Sequence, residues 1–269
     1  MKIKKEYVFF ILVILVLIIS ANILYIKNDN RSQAKPKGKE KEITRFLQAY
    51  GNFFAPEGEK YFLNLYYFYS NKDELQSQIE RIEFIDAKDI EITSFKIIDV
   101  TNIENYNIRT IPIEVIFHKK GRYQLNKINI TDQAGASHLF DIGKLNITVE
   151  NKSSDQDIRL GDKYPAIRNN FNSYEFSLDN VTNSDITITD IDFRDTNLKY
   201  NFDKKFIKAN SNLRDEFKFD FKEKQYSYYI LRPKIEYQID GKTKYFYPTL
   251  TYYDINSIKK EVLEKDKLR

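Results

Sequence analysis

Apolar residues recur at every second position through much of this chain, and Ile111, Ile113, Val115 and Phe117, set against Pro112 and Glu114, are the clearest run. A period of two places one set of side chains on one face of an extended backbone, so the pattern predicts strands rather than helices. Lys120-Gly121 turns the chain toward Tyr123 and Leu125, predicting a hairpin. The inward phase then slips to Ile128 and Ile130, which predicts a β-bulge near Asn126. Asp132 to Gly135 reads as a turn toward Leu139, Phe140 and Ile142, and Leu145, Ile147 and Val149 as one more strand. Ile90 to Ile98 and the aromatic run Tyr61 to Tyr69 are also expected to be strands. Over Tyr61 to Phe68 both faces are apolar, so that strand is central to the fold or part of an interface.

Asn151 to Asp157 is polar and marks the expected boundary between a first β-rich domain, 43–151, and a second, 157–255. Beyond it the alternation restarts with Tyr174, Phe176 and Leu178, a polar turn at Asn180 to Asp185, and then Ile186, Ile188, Ile191 and Phe193. Leu198, Tyr200 and Phe202 follow, then Phe217, Phe219 and Phe221. Ile235, Tyr237 and Ile239 lead into Asp240-Gly241, a pair suited to the positive φ of a tight hairpin, and Tyr245, Tyr247, Leu250 and Tyr252 return from it. Short strands at this spacing, in stretches of about a hundred residues, predict an all-β fold of tandem antiparallel sandwiches. The stretch Tyr174 to Ile188, with its Leu178-Asp179-Asn180 turn, resembles strands B and C of bacterial immunoglobulin-like envelope domains. The resemblance covers Arg159 to Asp254 and implies an Ig-like sandwich; it implies nothing about a ligand.

Two stretches depart from period two. Ile43, Phe46, Leu47 and Tyr50 fall on one side of a helical wheel, so Glu42 to Phe54 is expected to form a short helix. Residues 256–269 are charged throughout, with Ile258 and Val262 on one side, and read as a weak helix or tail.

The N-terminus follows a different logic. Residues 1–6 form a basic leader, and 7–26 carry no charge. Twenty helical residues span roughly 30 Å, the thickness of a bilayer core. Ile19 stands where a signal-peptide cleavage site needs a small residue before Ala21, and the apolar run resumes after Asn22. An uncleaved transmembrane anchor is therefore expected, with the C-terminal domains extracytoplasmic. Residues 27–42 are Lys-rich and punctuated by Pro36 and Gly38, a tether reaching roughly 50 Å when extended.

Composition narrows the function. The net charge of +4 is concentrated before residue 46, leaving the folded part slightly acidic, so no nucleic-acid partner is expected. With no cysteine, disulfides, thiolate catalysis and lipid attachment through a cysteine are excluded. The two histidines, His118 at a strand end and His138 in an expected loop, read as surface residues. Gly135-Ala136-Ser137-His138-Leu139 lacks the second glycine of a nucleophile elbow, and the two S-x-x-K matches, at Ser32 and Ser257, fall in the tether and the charged tail. Asp155, Asp157, Asp190, Asp192 and Asp195 offer oxygen ligands for calcium but lack EF-hand spacing, and read as turn residues. No cofactor and no catalytic or metal site is expected. The remaining candidates are aromatic: Tyr66, Phe68, Tyr226, Tyr229, Tyr245 and Tyr253, which on a surface would stack on sugars or anchor a protein interface. The expected role is a non-enzymatic accessory protein that contacts the membrane through 7–26 and binds another cell-envelope protein, with binding of a cell-wall polymer or carbohydrate as the alternative.

Overall fold

Alternating sequences need partners on both edges, and here they find them far away along the chain. The computed structural model describes residues 44–70, 79–85, 87–103, 106–152, 156–222 and 226–254, and among these every helix or strand is a strand. No helix among them is long and apolar enough to cross a membrane. The expected anchor, tether and C-terminal helix lie outside the described residues.

The first sheet contains β1 (Thr44–Phe46), β3 (Lys60–Ser70), β5 (Ile90–Phe95), β6 (Ile98–Ile103) and β7 (Tyr106–Phe117), all antiparallel. It faces a seven-stranded sheet in which β2 (Ala49–Pro56), β4 (Ile79–Phe84), β8 (Gly121–Asp132) and β9 (Ser137–Glu150) join β11 (Ile167–Arg168), β17 (Tyr228–Arg232) and β20 (Thr251–Tyr253), in the order β11-β20-β17-β2-β9-β8-β4. Among the described residues two antiparallel four-stranded sheets remain. One is β10 (Ile158–Leu160), β12 (Ser173–Asn180), β16 (Asn212–Phe221) and β14 (Leu198–Tyr200); the other is β15 (Lys205–Ile207), β13 (Ile186–Asp192), β18 (Lys234–Ile239) and β19 (Lys242–Phe246).

The seven-stranded sheet is mixed, a correction to purely antiparallel sandwiches. Strand β2 pairs in parallel with β9 on one side and with β17 on the other, and β11 pairs in parallel with β20. The sheet thus draws strands from both sides of the polar stretch at 151–157. Two clusters of buried side chains result. Ile111, Ile113, Val115 and Phe117 meet Leu125, Ile128, Ile130, Leu145 and Ile147 in the first. Tyr174, Phe176 and Leu178 meet Ile186, Ile188, Ile191, Ile235 and Tyr237 in the second.

Strands β2, β17 and β20 serve both clusters, because successive residues of a strand point to opposite faces. Ala49, Phe53, Tyr228, Ile230 and Tyr252 enter the first cluster. Tyr50, Tyr229, Leu231 and Tyr253 enter the second. Every residue of β2 is buried, which corrects the helix expected over Glu42 to Phe54. The helical spacing of Phe46, Leu47 and Tyr50 is incidental. A strand covered on both faces has little polar face to show, so its sequence loses the period-two signature.

Elsewhere the alternation reads directly onto the structure. The register of β8 against β9 shifts between Leu125 and Lys127, at the expected bulge. Asp240 and Gly241 adopt φ of 49° and 73° between β18 and β19. Strands β7 and β8, however, are not a hairpin. The chain crosses at Lys119-Lys120 from the first sheet to the seven-stranded one, so both strands point their apolar faces into the same cluster. His138 lies within β9 rather than in a loop.

Candidate functional site

Opposite the first cluster, the back of the seven-stranded sheet is polar over β9 and β8. Register places Asn52 beside Asn146 and Asn146 beside Gln124, a row of three amides across adjacent strands. Arg122 and Thr148 are paired on the same face, as are Tyr50 and Lys144. These residues floor a cleft of about 680 Å³, and Asp192, the segment Arg194 to Asn197, and Tyr200 form its other wall. The first wall comes from residues before 151 and the second from residues after 157.

Hydrogen bonds fix the inner end of the cleft. Tyr50 donates its hydroxyl to Asp195 Oδ1 at 3.1 Å and accepts from Asn52 Nδ2 at 3.0 Å. The Asn197 main-chain N–H donates to the same Asp195 oxygen at 2.9 Å. The other carboxylate oxygen, Oδ2, is buried and has no hydrogen-bond partner, which costs about 1–3 kcal/mol. Arg194, at φ 53°, is held by its own N–H to Asp192 Oδ1 at 2.7 Å and by Nε to Oδ2 at 2.9 Å. Tyr200 donates to the Ile191 carbonyl at 2.5 Å, and burial pushes its hydroxyl up to about 12, so it stays protonated at physiological pH.

The aromatic residues singled out from sequence do not form one face. Tyr66, Phe68, Tyr229 and Tyr253 are buried, Tyr226 is half-buried, and Tyr245 alone is exposed, at 39%. Tyr226 and Tyr229 stand 5.0 and 6.3 Å from Tyr50, behind the cleft. Tyr253 packs edge-on against Phe171 at 5.0 Å. Tyr245 stands over the Lys234 ammonium at 5.0 Å, and Arg109 lies 4.6 Å over the Tyr69 ring. None of the six lines the cleft. Gln124, Asn146 and Thr148 were legible as outward positions of strands and Asp192 and Asp195 as oxygen ligands, whereas Tyr50 and Asn52 lay in the expected helix. Asp157 is engaged by Tyr237 at 3.0 Å and Lys244 at 2.8 Å, and Asp155 is outside the described residues. No group of three or more His, Asp or Glu among the described residues is arranged to hold a metal. His118 pairs with Glu91 at 2.7 Å and His138 with Asp132 at 3.1 Å, both at the surface.

No protein-family model matches the chain, and no curated protein sequence does either. Among solved structures it is similar to a protein of unknown function from Porphyromonas gingivalis, at 9% identity and a TM-score of 0.25, over 79% of this chain and 99% of that one. It is also similar to the GspB Siglec domain, at 12% identity and 0.23, over 49% and 65% of the two chains. A third is a Bacteroides ovatus protein of a mixed-linkage glucan utilization locus, SGBP-B, in complex with a mixed-linkage heptasaccharide, at 13% identity and 0.22, over 73% and 42%. Likeness at this level places the chain in none of these groups.

Proposed function

We propose that this chain is an extracytoplasmic binding protein of the cell envelope, anchored by residues 7–26, whose cleft takes a hydroxyl-rich polymer such as a wall glycan. The amide row Asn52, Asn146, Gln124 carries the reading. An amide donates and accepts in one plane, as a sugar hydroxyl pair does. Arg122, Lys144 and Arg194 against Asp192 and Asp195 leave the lining with a slight positive excess, suited to a neutral or weakly anionic polymer. The sheets of the second half support an Ig-like arrangement, since β12 and β13 lie in different sheets, as strands B and C do in such sandwiches. The reading is of a binder and not of an enzyme, and a role within a larger envelope complex belongs to the same proposal.

Co-sedimentation of the detergent-solubilised full chain with purified insoluble cell wall tests it. Asn146→Ala combined with Gln124→Ala is expected to lower the retained fraction about tenfold, equivalent to about 1.4 kcal/mol, while Tyr245→Ala, outside the cleft, leaves it unchanged. No retention of the wild-type chain, or equal retention of the double variant, removes the reading.

A further inference from the structure

On another part of the surface a groove of about 690 Å³ runs beside β3, with β10 and β11 along it. Three large apolar side chains stand exposed on its walls: Phe62 at 54%, Leu160 at 36% and Ile167 at 61%. Apolar side chains gathered in one groove mark a place that excludes water when occupied. Arg232 lies at its base, 3% exposed. Its Nε donates to the Pro248 carbonyl at 2.5 Å and its Nη2 to Glu59 at 3.0 Å, but Nη1 is buried with no partner. The guanidinium carbon is 5.6 Å from the centre of the Tyr61 ring, whose hydroxyl is likewise buried and unpartnered. Two unsatisfied donors in one groove call for an acceptor; Lys60 is paired with Glu114 at 3.1 Å and Arg232 with Glu59 at 3.0 Å, which leaves Arg159 as the positive excess of the lining, so a negative acceptor is favoured.

We propose that this groove docks an extended segment of a partner protein, with one acidic side chain directed at Arg232 Nη1 and Tyr61 and flanking apolar side chains against Phe62, Leu160 and Ile167. Strands β10 and β11 decide for a protein over a lipid. Each is a sheet edge paired on one side only, and unpaired main-chain groups along an edge are satisfied by another backbone but not by hydrocarbon. The site is separate from the amide-floored cleft and does not depend on it.

Selection of displayed random peptides of about eight residues on the full chain in lipid nanodiscs tests the proposal. Enriched peptides are expected to carry one Asp or Glu between apolar residues. A synthetic peptide with the acid replaced by its amide is expected to bind at least about tenfold more weakly, as is the parent peptide to Ile167→Glu. Ile167 is exposed, so an unchanged thermal midpoint separates this loss from misfolding. Arg232→Met, which removes the cation, is expected to erase the preference for acid over amide. Failure to enrich any peptide, enrichment without an acidic residue, or binding indifferent to Ile167→Glu would each overturn the proposal. Saturable binding of octanoate that displaces the selected peptides equally well from wild type and Ile167→Glu would assign the donors to a lipid carboxylate and overturn it too.

Discussion

Gly143→Ala is expected to leave no folded protein, or to cost more than about 4–5 kcal/mol, an exceptional value that overpacking and strain at a special φ reach together. Gly143 lies in β9 directly opposite Ala49 of β2, at φ 102°, a conformation that a side chain rarely tolerates. A Cβ built there falls 2.0 Å from the Ala49 carbonyl oxygen and 2.5 Å from its nitrogen. Neither neighbour is the movable end of a side chain. Ala49 is fully buried and begins the strand that both clusters share, so relief would require β2 to leave β9. Gly135 supplies the comparison, since its φ is 81° but its Cβ would meet nothing within 4 Å. Gly135→Ala should cost only about 1–2 kcal/mol from backbone strain. Urea unfolding followed by far-ultraviolet circular dichroism distinguishes the two, and equal midpoints would show that the close approach of β9 to β2 is absent.

Asn180→Ala should lower stability by about 3–5 kcal/mol, because one side chain satisfies main-chain groups of two other segments. Asn180 is 2% exposed. The two hydrogens on its Nδ2 are shared among the carbonyls of Ser184 at 2.8 Å, Ile207 at 3.2 Å and Lys208 at 3.0 Å. Its Oδ1 accepts from the Thr182 N–H at 2.9 Å and the Thr182 hydroxyl at 2.8 Å. The turn between β12 and β13 and the segment after β15 are thereby tied to one point. Asn180→Asp keeps the size and the accepting oxygen but turns an acceptor toward three carbonyls, so it should be no milder. Val181→Ala, at an exposed neighbour, should stay within about 0.5 kcal/mol. A denaturation series placing Asn180→Ala beside Val181→Ala would mean that the turn is held by other contacts.

Where one face is buried and the other wet, the sequence was a faithful guide. Ile111 to Phe117, the slip at Asn126 and Asp240-Gly241 all carry local signals, set by side-chain alternation or by a turn's need for positive φ. The pairing of β2 with β17 carries none. It joins Tyr50 to Tyr229, and no residue type announces a neighbour so distant in the chain. The amide row was hidden for a related reason, since Asn52, Gln124 and Asn146 align only after three strands have found their register.

Four of the six aromatic candidates are buried, for a physical reason. A tyrosine is amphipathic, so its presence in a strand does not say which face it takes. Here several hydroxyls find main-chain partners inside the protein. Tyr252 accepts from the Asn64 N–H at 3.0 Å and lies 3.3 Å from the Phe62 carbonyl, and Tyr228 donates to the Asn64 carbonyl at 3.3 Å. These two side chains satisfy the open edge of β3 where β1 does not reach it, a role that demands burial.

Strands β2, β17 and β20 belong to two clusters at once, so the halves on either side of residues 151–157 stand or unfold together. Residue-resolved amide hydrogen exchange of the full chain under native conditions tests this most directly. Amides of Tyr50 to Phe53 and of Tyr229 to Leu231 are expected to fall in the slowest class and to share one opening free energy with Ile113 and Ile188. Fast exchange along β17 and through 157–254, while β2 and β9 remain protected, would show two independently unfolding bodies and contradict it.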